Sequence, residues 1–296
     1  MARVFSTWDG TLVQMSRGRF EGTLELAHGE KIQVHRATGN QEIFVRGQEK
    51  SATCTFTLVL PESENCLWQR RSLSAGDLVV RSADVEVHHW AGRQAVNLSL
   101  SVGERTLRDA ADTLGVELGA FRWQALRPEP VVFQQLEKLL RSFLASVPGS
   151  AERSHLEEAC LRTVVEALCP ASKKREPSLL SSIRADLVQR GEDQMRRQLD
   201  GFLCESDLCR ELGVSGRTLR LAFQEHYGLG PIEYYRVLRL NAARRTIKNL
   251  RTDSESIASI AQTFGFHHSG KFSLYFRRLF GELPSEIGRY TASKKG

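Results

Sequence analysis

Leu208-Cys209-Arg210-Glu211-Leu212-Gly213-Val214-Ser215 and Ile260-Ala261-Gln262-Thr263-Phe264-Gly265-Phe266-His267 are two copies of one pattern, 52 residues apart. Beyond the turn the offset becomes 53, because the second copy carries one extra residue. Leu219 then pairs with Phe272, Phe223 with Phe276, Tyr227 with Phe280, Gly228 with Gly281 and Pro231 with Pro284. Each copy reads as a short amphipathic helix, a glycine turn, a second amphipathic helix and a glycine stop, which is the layout of a helix-turn-helix. Gly213 and Gly265 suit the turn because glycine adopts positive φ without steric cost. Leu219 with Phe223, and Phe272 with Phe276, stand four residues apart, so each pair faces the core and leaves the opposite face for a groove.

The stretch between the copies carries as much information as the copies themselves. Pro231 suits a first helical turn and opens a helix to about Leu250, with Leu240, Ala243, Ile247 and Leu250 as its apolar stripe. Arg236, Arg239, Arg244, Arg245, Lys248 and Arg251 give this rod its charge. A rod of that length spans roughly 28 Å at the helical rise. Two helices held that far apart fit successive major grooves, which recur about every 34 Å on one face of DNA.

Working outward, the first hundred residues follow a period of two. In Ala52–Leu60, Ala52, Cys54, Phe56, Leu58 and Leu60 alternate with Thr53, Thr55 and Thr57, which puts the apolar set on one sheet face. Similar runs lie at Thr23–Leu26, Lys31–His35, Glu42–Arg46, Leu78–Arg81, Val85–His89 and Val96–Val102, with turn signals at about ten-residue intervals. The expectation is an antiparallel sandwich or small cupin-like barrel able to hold a small ligand. After Gly103 the period becomes helical, with helices at Pro130–Val147 and about Glu152–Leu168. Their wide apolar stripes fit either packing on the sheet or a seam with a second copy of the chain. Cys169-Pro170-Ala171-Ser172-Lys173-Lys174-Arg175-Glu176-Pro177 breaks that pattern and reads as a linker. The expected organisation is α+β: 1–103 β-rich and effector-sensing, 104–170 helical and dimerising or packing, 171–182 linker, and 183–296 an all-α domain with two helix-turn-helix units.

Charge agrees with that division. The 296-residue chain has 41 Lys and Arg against 35 Asp and Glu, a net +6. From Ala171 onward 22 basic residues face 14 acidic ones, a net +8, so the first 170 residues carry −2. A segment with that excess is suited to a polyanion, nucleic acid before membrane. No transmembrane run and no signal-peptide core is apparent, and the six cysteines form no CxxC pair, so a reduced cytoplasmic setting is expected. His88-His89 and His267-His268 are not read as metal pairs, since sequence neighbours diverge on strand and helix alike. Trp68, Trp90 and Trp123 are read as core ahead of pocket lining. No P-loop, GxSxG or HExxH pattern is present, and neither a cofactor nor an enzymatic activity is expected.

Residues from about Ile183 to Arg289 resemble the DNA-binding domain of AraC/XylS-type transcription regulators. Gly265 to Ile287, GFHHSGKFSLYFRRLFGELPSEI, has that family's Gly-Phe, two Phe four residues apart, Phe-Gly and Pro-Ser. Its Gly-Lys-Phe and Gly-Glu-Leu-Pro-Ser variants are similar to those of ethanolamine-utilisation regulators. The resemblance implies a bacterial, effector-controlled regulator, an activator ahead of a repressor, with RNA polymerase and a second copy of the chain as further partners. It places base-contacting positions on Arg217, Arg220 and Leu221, and on Ser269, Gly270 and Leu274, with His268 and Lys271 adjacent. Of these, Arg217, Arg220, His268, Ser269 and Lys271 have side chains that can hydrogen-bond a base edge, whereas Leu221, Gly270 and Leu274 do not. Ser215, Thr218, Ser273, Arg277 and Arg278 are assigned to phosphates. The alternatives are a cupin-like metal-dependent enzyme fused to a DNA-binding tail, and a DNA-binding protein without an effector.

Overall fold

The computed structural model describes residues 8–49, 52–63, 66–69, 71–83, 85–119, 123–168, 173–174, 179–201, 203–249 and 255–287. The chain divides into two units, Met1–Leu12 with Glu21–Glu176, and Val13–Phe20 with Pro177–Gly296.

In the first unit the strands, in chain order, are β1 (Trp8–Gln14), β2 (Gly22–His28), β3 (Ile32–Gly39), β4 (Ile43–Glu49), β5 (Thr53–Leu58) and β6 (Leu67–Trp68). They continue as β7 (Arg71–Ser72), β8 (Leu78–Ser82), β9 (Val87–Ala91), β10 (Val96–Gly103), β11 (Trp123–Arg127) and β12 (Lys173–Lys174). They form two separate sheets, ordered β1-β4-β9-β6-β7 and β12-β11-β8-β5-β10-β3-β2, so the sandwich form of the expected fold is the one adopted. All seven strands read from the period of two are present. Of the five additional ones, β6, β7 and β12 have two residues each, β11 lies amid helical sequence, held by long-range pairing with β8, and β1 precedes the first run read from the period.

Three expected boundaries change. The 104–170 segment is not wholly helical, since it holds β11 between α1 (Glu104–Thr113) and α2 (Pro130–Ala145), which is followed by α3 (Ala151–Ala167). Within 171–182, Lys173–Lys174 pairs with β11 and a further helix begins at Leu179, while the rest of the Cys169–Pro177 linker lies outside the described residues. Val13–Phe20 groups with the C-terminal unit although it comes from the 1–103 segment. No local sequence signal announces that long-range docking.

Both faces of the seven-stranded sheet are covered. Cys54, Phe56 and Leu58 of β5 join Val34, Leu78, Val80, Leu98, Leu100 and Val102 in a core completed by α1, α2 and α3. The stripes of α2 and α3 thus meet the sheet, with Phe133, Leu136, Leu140, Phe143, Cys160 and Val164 at the contact. Thr55 and Thr57 alternate onto the other face, yet they too are buried. There Val79 packs with Trp68 and Ala91 of the five-stranded sheet, so this face looks inward between the sheets. Thr57 aligns with Ser99, which aligns with His35, and their hydroxyls pair as Thr57 with Ser99 (2.8 Å) and Thr55 with Ser101 (2.9 Å). From the opposite sheet His89 stacks on Trp68, ring centroids 3.8 Å apart. Burial, then the nearby Arg81 charge, pushes His35 down to about 4 and His89 down to about 3.

A carboxylate ties the helices to this sandwich. Buried Glu157 of α3 accepts from the backbone N–H groups of Lys31 (2.6 Å), Ile32 (2.8 Å) and Glu30 (3.3 Å) at the β2–β3 turn. Gly29 makes the approach feasible, because a Cβ there would lie 2.3 Å from Glu157 Oε1. Arg153, one turn earlier, donates to the Ser146 hydroxyl and the His28 carbonyl.

The second unit is helical: α4 (Leu179–Arg197), α5 (Glu205–Leu212), α6 (Gly216–Tyr227), α7 (Pro231–Asn249), α8 (Ile257–Thr263) and α9 (Ser269–Phe280). The last residues of the rod as read from the sequence, Leu250 of its apolar stripe and the cation Arg251, lie outside the described residues. Val13–Phe20 docks across this unit. Asn241 of α7 receives the Gln14 N–H (2.9 Å) and donates to the Gln14 carbonyl (3.0 Å), as a neighbouring strand would. Gln14 Nε2 and Gly18 N–H both donate to the Leu279 carbonyl near the end of α9, at 2.8 and 3.0 Å.

Two stability predictions follow from the first unit. Glu157→Ala strands N–H groups at the β2–β3 turn, at a cost of about 1–3 kcal/mol for a buried donor left unmade. Gly29→Ala should be comparably destabilising in chemical denaturation of the full chain, and a neutral result for both would remove the tether's role. Histidines whose native pKa lies below the unfolded value of 6.5 leave stability unchanged above that pH. As pH falls from about 6.5 towards 4 the unfolded chain binds the extra protons, so stability drops by up to about 1.4 kcal/mol per pH unit for each histidine. His89→Phe, which keeps an aromatic face against Trp68, should about halve that loss in denaturation midpoints measured across the same window.

Candidate nucleic-acid interface

The duplication read in the sequence is a duplication in structure. Helices α6 and α9 have 12 residues each and start and end at an offset of 53. Gly213 and Gly265 take φ of +68° and +73° at the turns, and Gly228 and Gly281 take +64° and +71° at the stops. The extra residue of the second copy falls between Gly265 and His268, where Phe266 is buried. Ser215 and His268 are consequently the matching N-caps.

The apolar halves of both helices are sequestered. Leu219, Ala222, Phe223 and Tyr227 of α6, and Phe272, Phe276, Leu279 and Phe280 of α9, are buried. The opposite halves are exposed. On α6, Arg217, Arg220, Leu221 and Gln224 share one face at helical spacing, with Thr218 beside them. On α9, Gly270, Leu274 and Arg277 form one exposed line and Lys271 with Arg278 another, while Ser273 is half-buried on the opposite side of the first line, toward Phe280. His268 and Ser269 stand exposed at the helix start. The ten side chains assigned to DNA from the sequence thus fall on the outward sides of α6 and α9 or at their N-termini.

Three of them, Ser215, Thr218 and Arg220, are already engaged. The Ser215 hydroxyl accepts from Thr218 N–H (3.1 Å) as the N-cap of α6 and lies 2.9 Å from the Thr218 hydroxyl. Its equivalent His268 makes no side-chain cap, so the two copies present different chemistry at the same point. Arg220 Nη1 donates to Glu205 Oε1 at the start of α5. Gly216 leaves room for this pair, because a Cβ there would lie 2.8 Å from Glu205 Oε1. Glu205 is therefore a member of this surface that the sequence reading missed. It precedes Arg220 by fifteen residues, across a turn, so no helical spacing links them.

The rod's cations also have a different role from the one its composition suggests. Arg236 lies over Tyr275 (4.9 Å), Arg239 over Tyr235 (4.5 Å) and Phe266 (5.0 Å), and Arg244 over Phe280 (4.7 Å). Arg244 also pairs with Glu282. Burial pushes Arg239, Arg245 and Lys248 below their usual ranges, with Arg236, Arg196 and Arg244 respectively adding repulsion. The arginines at 236, 239 and 244 join α7 to the second copy through aromatic faces.

Among the remaining residues singled out earlier, His88 and His89 point to opposite sides of β9. His88 Nε2 lies 3.0 Å from Glu86 Oε2, whereas His89 faces Trp68. Trp68 and Trp90 are buried, and the Trp123 side chain lies outside the described residues.

A family model for a helix-turn-helix domain matches residues 208–290. The chain is 31% identical over 100 residues to the probable thc operon regulatory protein of Rhodococcus erythropolis, covering 34% of this chain and 30% of that protein. It is 38% identical over 73 residues to XylDLEGF operon transcriptional activator 2 of Pseudomonas putida, covering 25% of this chain and 46% of that one. The crystal structure of an AraC-type regulator from Chromobacterium violaceum matches at 29% identity and a TM-score of 0.34, covering 36% of this chain and 94% of that one. The chain therefore spans less than half the length of these two curated relatives. Residues 208–290, with their doubled turn and shared rod, are a helix-turn-helix domain similar to those of these regulators.

Proposed function

We propose that the chain is a sequence-specific DNA-binding transcription regulator, an activator controlled by a small molecule. The observation that carries this reading is the pair of equal helices, α6 and α9, each with its apolar side buried and its polar side exposed. A 19-residue α7 joins them, long enough at about 28 Å to set them into successive major grooves. Arg217, Arg220, His268, Ser269 and Lys271 read bases, and Ser215, Thr218, Ser273, Arg277 and Arg278 hold phosphates. The curated relatives bear names of operon regulators and transcriptional activators, which supports the activator reading over an enzymatic one. An activator of this kind works in the cytoplasm beside RNA polymerase, and the helices packed on the sandwich are where a second copy would join. No helix among the described residues is long and apolar enough to cross a membrane.

The effector binds within the layer between the sheets. Most sandwiches fill that layer with aliphatic side chains, whereas here Thr55, Thr57, Ser99, Ser101, His35, Arg81 and His89 face it around Trp68 and Val79. Hydroxyls, imidazoles and a guanidinium suit a small polar or anionic metabolite. Its binding shifts the DNA-competent population only as far as it favours that state over the other.

Selection of bound sequences from random DNA by the full chain should yield an asymmetric site with two conserved blocks. Arg217→Ala should then relax preference at one position. By contrast, Arg277→Ala should weaken every site alike and lower the salt slope by about one. Recovery of no preferred sequence at moderate salt would end the regulator reading. In a metabolite screen by thermal shift, ligands that raise the melting temperature should lose that effect in Arg81→Met. Ligands that stabilise the variant equally would move the effector site elsewhere.

A further inference from the structure

We propose that Leu221 and Leu274 read thymine, through its C5-methyl group, at matching positions of the two DNA sub-sites. The proposal rests on the DNA-binding reading above and adds base identity to it.

Both leucines are 48% exposed, and they stand at the same place in the repeat, 53 residues apart. A single exposed leucine needs no explanation on a protein surface. The same exposed leucine on both recognition helices, each surrounded by polar side chains, is a different observation. On α6, Leu221 lies one turn beyond Arg217 and beside Arg220 and Gln224. On α9, Leu274 lies one turn beyond Gly270 and one turn before Arg277. A surface meant for another protein would be expected to gather apolar neighbours around it. Leu221 is flanked by Arg217, Thr218, Gln224 and Glu225, the last paired with Arg184, and Leu274 by Gly270, Lys271, Arg277 and Arg278, so the neighbours are polar and mostly match phosphate and base edges.

Leucine offers no hydrogen bond, so within a major groove its partner is the one apolar group there, the thymine methyl. Gly270 strengthens the assignment in the second copy. A Cβ at that position would meet nothing within 4 Å, so the protein's own packing does not require glycine there. Its absence of a side chain lowers the surface in front of Leu274 and lets the groove floor approach. In the first copy Arg217 occupies the equivalent place, so Leu221 acts beside a hydrogen-bonding reader and Leu274 acts without one. The second sub-site should therefore depend more on its thymine.

The test uses the full chain and the site it selects from random DNA. Replacing each thymine in turn by deoxyuridine removes only the methyl and leaves pairing intact. Affinity should fall about fourfold, the worth of one buried methyl, at one thymine in each block, the two lying about ten base pairs apart. Leu221→Ala should abolish the thymine–uracil difference in one block and Leu274→Ala in the other, with the remaining block unaffected. A selected site in which deoxyuridine is tolerated throughout would overturn this proposal and leave the regulator reading intact. So would variants that keep the full thymine–uracil difference. If no site is selected at all, the regulator reading falls and takes this proposal with it.

Discussion

Helix α7 is buried on two sides, and the C-terminal unit depends on that constraint. Toward the first copy it contributes Tyr234, fully buried, stacked on Tyr227 at 4.4 Å and edge-on to Phe223 at 5.6 Å. Buried Glu192 of α4 closes this cluster by accepting from the Tyr227 hydroxyl (3.0 Å) and from Arg196 (2.7 Å). Toward the second copy α7 contributes guanidinium groups laid over Tyr275, Phe266 and Phe280. One side is aromatic on aromatic and the other is cation on aromatic. Because both sides are packed, rotation of α6 relative to α9 would break one set or the other, and the two helix-turn-helix copies become a single object.

Asn241 adds a further element to this object. The same α7 that fixes the heads also holds Gln14, and Gln14 and Gly18 in turn reach the last turn of α9. Val13–Phe20 is continuous with β1, whose pairing is with β4 in the first unit. The chain therefore passes from a sheet of that unit into the packing of α9, apart from its later crossing between residues 167 and 179.

Surface chemistry distinguishes the two copies that the fold makes alike. Ser215 caps its helix and His268 does not; Arg220 is paired with Glu205, while its equivalent Ser273 is half-buried. Arg217 is matched by Gly270 and Gln224 by Arg277. Equal scaffolds with unequal faces suit an asymmetric DNA site, and only the leucines are held in common on the exposed side.

The sequence by itself determined the elements that repeat or alternate locally. The 53-residue offset, the two glycine turns, the rod and seven strands were legible because helical and sheet periods place apolar residues at fixed steps. The inward threonines of β5 were visible as an alternating set, but which face would be covered was not, since a period of two cannot say whether a second sheet lies beyond. Tertiary structure alone decided the rest: the buried polar layer between the sheets, the Glu157 tether, the docking of Val13–Phe20, the Glu205–Arg220 pair and the inward turn of the rod's arginines. Each joins residues distant in sequence, or depends on a long side chain whose direction the backbone period does not fix. A composition rich in arginine promised a charged rod; packing turned three of those arginines onto aromatic rings and left the outward faces of α6 and α9 exposed.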